Sequence, residues 1–131
     1  MKKITNNELI DLAKGMTRPM KLSRFSNSGT VGCALVTKKG TVFKGICLVV
    51  TCGLGTCAEH IAIANMLAAG EKDIERIVAF SAEGKILPPC GRCRELMYGI
   101  NKNNLKTKII IGKNKIVTLK EILPYNWQDE Y

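Results

Sequence analysis

The 131-residue sequence predicts an α/β fold in which helices pack on a single mixed β-sheet of about five strands. After a first helical pattern, two β-branched runs follow each other, and helical and strand patterns then alternate along the rest of the chain. The composition agrees, because 46% hydrophobic and 24% charged residues are typical of a globular chain and not of a disordered one. The sequence shows no internal repeat and no Pro/Ser-rich linker, so we expect residues 1–131 to form one domain.

The first half of the chain predicts one helix and one β-hairpin. Thr5 and Glu8 have the spacing of a capping box, and the helix that they begin must end before Pro19. Residues 21–30 are polar and rich in Ser, Asn and Gly, which predicts a loop. The β-branched runs at 31–36 and 41–50 follow, and the Lys38–Gly40 stretch between them predicts a hairpin turn.

The second half predicts alternating helices and strands. A tight connector at 51–56 leads into a segment that is apolar on most helical faces, and another helix follows the Pro88-Pro89 pair. Thr118 and Glu121 form a second capping box before a short final helix that Pro124 ends. The predicted elements are helices over 57–69 and 90–98 and strands over 77–80, 108–111 and 115–117.

The charge and hydropathy patterns limit the partners of this protein. Twenty Lys and Arg residues against eleven Asp and Glu residues give a net charge of +9. The basic residues are spread along the chain and aromatic residues make up only 5%, so we expect a generally basic surface and no nucleic-acid groove. The longest uncharged run, residues 45–58, is too short to span a membrane, and the N-terminal residues have no signal-peptide pattern. We therefore expect a cytoplasmic protein whose thiols are reduced.

Three cysteines and one glutamate are the residues that indicate a metal site in this sequence. Cys90 and Cys93 form a C-x-x-C pair, which alone fits a metal site, a redox pair or coincidence. Cys57 opens a helix of its own and is followed by Glu59, where a carboxylate can act as a proton shuttle beside a metal. Three protein ligands are what a catalytic zinc ion takes, since its fourth position stays open for water. Cys52 keeps an alternative open, because a fourth thiol would make a closed structural zinc site.

The two cysteine motifs resemble the signature motifs of the cytidine deaminase family of zinc nucleoside deaminases. The motifs are Cys57-Ala58-Glu59 and Pro89-Cys90-Gly91-Arg92-Cys93-Arg94, and the second has the form found in the blasticidin-S branch of the family. The similarity extends from the first predicted strand to the final helix. It implies a three-layer α/β/α fold, a homotetramer, a Zn²⁺ cofactor and hydrolytic removal of ammonia from a cytosine-type base in a nucleoside-like substrate.

The resemblance also implies a role for individual residues. Cys57, Cys90 and Cys93 are the expected zinc ligands, and Glu59 is the expected proton shuttle. Polar side chains next to the ligands are expected to offset the negative charge of three thiolates. The candidates for this role are Arg92, Arg94 and His60. Aromatic residues at the two ends of the chain are candidates for substrate contact, namely Phe25 and Trp127.

One strand departs from the family pattern. Cytidine deaminases carry an Asn-x-Glu pair on their second strand for the ribose hydroxyls, and residues 45–50 contain neither residue. The sugar end of the pocket is therefore expected to be apolar, with Leu48 and Val49, and cytidine to be a poor substrate with a high KM. Cytidine, deoxycytidine and a blasticidin-S-like compound remain the candidate substrates. The sequence leaves three other functions open, which are a polynucleotide deaminase, a non-catalytic zinc module and a nucleoside sensor.

Overall fold

The computed structural model describes residues 3–131 as seven strands and four α-helices. The helices are Asn6–Met16 (α1), Ala58–Ala68 (α2), Gly91–Ile100 (α3) and Leu119–Ile122 (α4). The strands are Met20–Ser23 (β1), Ser26–Thr37 (β2), Val42–Val50 (β3), Ile74–Ser81 (β4), Ile86–Leu87 (β5), Lys108–Gly112 (β6) and Lys115–Thr118 (β7). Short 3₁₀ helices cover Thr51–Gly53, Lys102–Lys106 and Trp127–Glu130.

All seven strands belong to one mixed sheet. Five of them lie in the order β3-β2-β4-β6-β7, and only the β4–β6 pair among them is parallel. These five are the predicted strands. The two additional strands, β1 and β5, are short and pair with free stretches at the edges of β2 and β4. The predicted mixed sheet is confirmed, and the two short hairpin strands raise the number from about five to seven.

Helices cover both faces of the sheet, which makes the three layers that the sequence resemblance implied. On one face, α1 packs against the side chains of Ala34, Val36 and Val78. On the other face, α2, α3 and α4 pack against Cys33, Leu35 and the neighbouring strands. Alternate residues of β2 therefore point into two separate cores, as the period of a strand requires. Because the sheet is buried between two helical layers, its central strands are almost continuously apolar.

The predicted loop at residues 21–30 was wrong. Met20–Ser23 and the first residues of β2 form an antiparallel hairpin, with Lys21 opposite Asn27 and a turn at residues 24–25. All four residues of β1 are exposed, so this hairpin contributes backbone hydrogen bonds and almost no apolar burial. Sequence periodicity reports burial, and it could not detect a strand of this kind.

Helix α2 lies directly on β3 because of one glycine. A Cβ added at Gly45 would lie 2.6 Å from both the carbonyl oxygen of Ala58 and the backbone nitrogen of Ala62. Those atoms belong to the first turns of α2, which follow Cys57 directly. The absence of a side chain at Gly45 therefore sets the distance between the sheet and the segment that carries Cys57 and Glu59.

Within residues 3–131, no helix combines the length and the apolar character that crossing a bilayer requires.

We expect Gly45→Ala to destabilise the fold by about 1–3 kcal/mol, because the added methyl group meets backbone atoms that cannot rotate away. Urea unfolding of the purified variant measures this. Gly15→Ala in α1 is the matched control: a Cβ there has no atom within 4 Å, so the change should be neutral or stabilising by up to about 1 kcal/mol. Equal stability of Gly45→Ala and the unchanged protein would contradict the close packing of α2 on β3.

Candidate metal centre and active site

Three cysteine thiols meet where two helices begin. Cys57 is the N-cap residue of α2, and Cys90 is the N-cap residue of α3. Both have extended backbone angles, and neither side chain forms a capping hydrogen bond, so both thiols are free to point at a common centre. Cys93 lies in the first turn of α3, three residues after Cys90, which places it on the same side of the helix.

The distances among these sulfur atoms fit a tetrahedral zinc ion. The Sγ atom of Cys90 lies 3.4 Å from the Sγ atoms of both Cys57 and Cys93, and all three lie within 4.8 Å of one another. Two thiolates at about 2.3 Å from a tetrahedral zinc are about 3.8 Å apart, so small shifts suffice to accommodate the ion. Three sulfur ligands and an open fourth position are the donor set of a catalytic zinc site.

The pKa shifts of the three thiols indicate that their thiolate forms need a nearby cation. Burial, together with the negative charge of Glu59, raises the pKa of the Cys93 thiol well above its usual value. Burial and the Cys90 thiol raise the pKa of Cys57 as well. Burial acts the same way on Cys90, but hydrogen bonds from the Cys93 backbone and the two other thiols leave its pKa lowered. Three thiolates beside a carboxylate are therefore stable together only when a cation offsets their charge, and the two helix N-termini supply only part of that offset.

Glu59 is buried beside the three thiols. Its side chain is 6% exposed, and it shares a small cavity with the apolar side chains of Ile77, Ala79, Leu87, Pro89 and Ile109. Burial raises the pKa of this carboxyl, and the hydrogen bond from its own backbone N–H offsets only part of the effect. A raised pKa makes a carboxyl group a better proton acceptor than a free one, which suits a residue that must both accept and return a proton.

His60 and Arg92 lie next to the ligands. The Nδ1 atom of His60 is 3.5 Å from the Sγ atom of Cys93, so the neutral ring can donate a hydrogen bond to that sulfur when Nδ1 carries the proton. Burial and the charge of Arg92 lower the pKa of His60, which favours the neutral form of the ring. Arg92 itself is exposed on the first turn of α3.

Arg94, a candidate for offsetting the charge of the thiolates, forms its hydrogen bonds with backbone oxygens. Its guanidinium donates from Nε to the carbonyl oxygen of Pro89 at 2.8 Å and from Nη1 to the carbonyl oxygen of Ile122 at 3.0 Å. Both acceptors are backbone oxygens and not sulfur atoms. The side chain thus ties the residue that precedes Cys90 to the end of α4, and it fixes the backbone from which the ligand projects.

Residues after α4 are also fastened to α3. The carboxylate of Glu95 accepts hydrogen bonds from Asn126 Nδ2 at 3.1 Å and from Gln128 Nε2 at 2.7 Å. The hydroxyl of Tyr98 donates to Asp129. The partners are 31 to 33 residues apart in sequence, so no local pattern could have indicated them. These contacts hold the helix that carries two of the three cysteines.

The remaining predicted site residues lie outside the cluster. Phe25 is 56% exposed at the β1–β2 turn, with the guanidinium of Arg24 5.0 Å from its ring centroid. Trp127 is 64% exposed and forms an edge-to-face contact with Tyr131. Cys52 is exposed and does not belong to the group of three thiols, which argues against the closed four-cysteine site.

Comparisons with known proteins agree with this site. The sequence model of the cytidine and deoxycytidylate deaminase zinc-binding region matches residues 6–108. A cytidine deaminase of Halalkalibacterium halodurans is 31% identical over 97 residues, covering 72% of this chain and 74% of that protein. A blasticidin-S deaminase of Bacillus cereus is 30% identical over 129 residues, covering 92% of this chain and 90% of that protein.

Solved structures give the same result for the fold. The cytidine deaminase from Burkholderia pseudomallei is similar with a TM-score of 0.74 and 28% identity, over 93% of this chain and 98% of that one. The cytidine deaminase from Mycobacterium leprae has a TM-score of 0.75 and 26% identity, over 93% and 99%. Fold and site together define a zinc-binding deaminase domain. The chain belongs to the cytidine and deoxycytidylate deaminase family.

Arg94→Lys tests whether Arg94 acts through geometry or through charge. Lysine keeps the positive charge but cannot bridge two carbonyl oxygens, so we expect zinc affinity to fall about 10–100-fold, as measured by competition with a chelator. Arg92→Lys, at the exposed neighbouring arginine, should leave the affinity unchanged. If Arg94→Lys binds zinc normally while Arg94→Gln does not, the charge of Arg94 matters and the bridge does not.

Proposed function

We propose that this chain is a zinc-dependent aminohydrolase that removes ammonia from a cytosine-type base in a nucleoside or nucleoside-like compound. The observation that carries the proposal is the arrangement of Cys57, Cys90 and Cys93 around a common point with the buried carboxyl group of Glu59 beside them. The sequence similarity to a cytidine deaminase and a blasticidin-S deaminase supports the substrate class. We further propose that residues 1–131 act as one catalytic domain and that the protein works in the cytoplasm, where its thiols stay reduced.

In this proposal Cys57, Cys90 and Cys93 bind the zinc ion as thiolates. Bound there, zinc supplies Lewis-acid activation of the hydrolytic reaction at neutral pH. The N-termini of α2 and α3 and the ring of His60 stabilise the thiolates, while the Arg94 bridge keeps the Pro89–Cys90 backbone in place.

Glu59 moves the protons of the reaction. Its carboxylate accepts a proton from the attacking water and delivers it to the ring nitrogen, while the water oxygen bonds to the carbon that carries the amino group. Glu59 then transfers the proton of the new hydroxyl group to the departing nitrogen, the carbon–nitrogen bond breaks, and ammonia leaves. The carboxylate is regenerated, and the base becomes a uracil-type carbonyl compound. The apolar wall around Glu59 keeps bulk water from competing for these protons.

We expect Glu59→Gln to keep zinc and the fold but to lower turnover by at least about 10²–10⁴-fold, because the amide cannot accept a proton. An ammonia-release assay, together with the zinc content of the same sample, measures this. Glu83→Gln, an exposed residue in the β4–β5 turn, is the control and should be fully active. Normal turnover in Glu59→Gln with zinc bound would overturn the proposed function.

We also propose that the protein is a homotetramer. The supporting observation is the outer face of α2, where Ala64, Leu67 and Ala68 are exposed and apolar although the helix also packs on the sheet. A helix that is apolar on both sides usually has a second packing partner. Light scattering at micromolar concentration should give four times the chain mass, and Leu67→Glu should reduce that mass. A monomeric mass for the unchanged protein would contradict the assembly.

A further inference from the structure

The face of the sheet that carries α1 is only partly covered by helix. Within residues 3–131, α1 is the only α-helix on this face, and it lies over β2 and β4, where it packs on Ala34, Val36 and Val78. The other three α-helices pack on the opposite face. Strands β6 and β7 continue the sheet beyond β4, so this side of the two strands has no helix of its own.

An apolar groove lies on this side, between α1, the β4–β5 turn and the β6–β7 turn. We call it the β6–β7 groove. Its floor is formed by the half-buried side chains of Ile10, Phe80 and Ile86. Ile116 of β7 extends the apolar surface, because it lies opposite Ile110 in the β6–β7 pair and paired residues point to the same face. The side chain of Ile116 is 42% exposed.

The uncovered side of β6 and β7 has the width of one helix. In the order of the strands, the centre of the β6–β7 pair lies two strand spacings from the centre of the β2–β4 pair under α1, which is about 10 Å. Helices that pack side by side are about 8–10 Å apart, so a helix next to α1 would lie over these two strands. The five residues of β6 extend about 17 Å, the length of about eleven helical residues.

The rim of the β6–β7 groove is basic. Lys85 and Lys113 line it from the two turns, and no carboxylate of residues 3–131 is among the lining groups. Lys108 is exposed on the same face of β6. None of these three lysines forms an ion pair within the described part of the chain. On α1, the ammonium group of Lys14 lies 6.0 Å from the centroid of the Phe80 ring. Positive charge therefore surrounds an apolar floor.

The charge and the floor together select the occupant. A second copy of this chain also has a net charge of +9, and its identical face would bring lysines against lysines. A nucleic acid would pair with the lysines but would leave Ile116 and Ile10 without apolar partners, and Phe80 is the single aromatic residue that lines the groove. A helix with apolar residues on one side and acidic residues beside them matches both the floor and the rim.

We propose that the β6–β7 groove is a docking site for a partner protein that presents an acidic amphipathic helix of about three turns. The apolar side of that helix packs on Ile10, Phe80 and Ile116, and its acidic residues pair with Lys85 and Lys113. The groove lies on the face of the sheet opposite α2 and α3, which carry the three cysteines. The inference therefore goes beyond the proposed deaminase function and does not depend on it.

Fluorescence anisotropy with a labelled synthetic peptide tests the docking site on the zinc-loaded protein. The probe is a lactam-bridged helix of about 15 residues with leucines on one side and glutamates beside them. We expect a Kd of about 100 µM or tighter at low salt, and no binding of the same peptide with lysines in place of its glutamates. Lys85→Gln combined with Lys113→Gln should weaken binding about tenfold or more, and so should Ile116→Ser.

Lys38→Gln combined with Lys39→Gln is the matched control. It removes the same charge at the β2–β3 turn, at the opposite end of the sheet, and should leave the affinity unchanged. An unchanged zinc content shows that each variant is folded. If the acidic peptide does not bind, or if both lysine pairs weaken it equally, the docking site is wrong.

Two further results would also overturn the proposal. The first is binding of a single-stranded RNA that requires Lys85 and Lys113 but is unaffected by Ile116→Ser, which would make the groove a nucleic-acid surface. The second is a lower assembly mass of Ile116→Ser in light scattering, which would make the groove a contact between copies of this chain.

Discussion

The convergence of two helix N-termini is the constraint on which the rest of this structure depends. Cys57 and Cys90 are N-cap residues of separate helices, and their sulfur atoms lie 3.4 Å apart although 33 residues separate them in sequence. The free N–H groups of both first turns favour negative charge at the same point. Everything that fixes α2 and α3 on the sheet therefore also fixes the metal centre, from Gly45 under α2 to the Arg94 bridge at α3.

The packing of α2 and α3 on the sheet also determines the environment of Glu59. The residue lies on the first turn of α2, and the sheet and the Leu87–Pro89 segment surround its carboxyl group with apolar side chains. Burial of an acidic group without an ion-pair partner destabilises its charged form, and folds tolerate this mainly where the raised pKa has a use. In this protein it gives a carboxyl group that can exchange protons while the neighbouring thiols bind a metal ion.

The sequence predicted the elements whose signals are local. Both capping boxes, at Thr5–Glu8 and Thr118–Glu121, form with their reciprocal hydrogen bonds, and the five predicted strands form at the β-branched runs. The cluster of Cys57, Cys90 and Cys93 was predictable because their two motifs resemble those of zinc nucleoside deaminases; spacing alone left a redox pair and a four-cysteine site open. The exposed strand β1 was missed because it buries nothing. The contacts of Arg94 and Glu95 were missed because their partners, Ile122 and Gln128, are distant in sequence and are brought near only by the fold.

X-ray absorption at the zinc edge tests the central claim most directly. The protein should be reconstituted with one equivalent of zinc and measured without substrate. The account predicts three sulfur ligands at about 2.3 Å and one lighter oxygen or nitrogen ligand at about 2.0 Å. A shell of four sulfur atoms would mean that a fourth cysteine closes the site, and zinc bound without sulfur ligands would mean that the three thiols are not the metal centre. Either result would contradict the account.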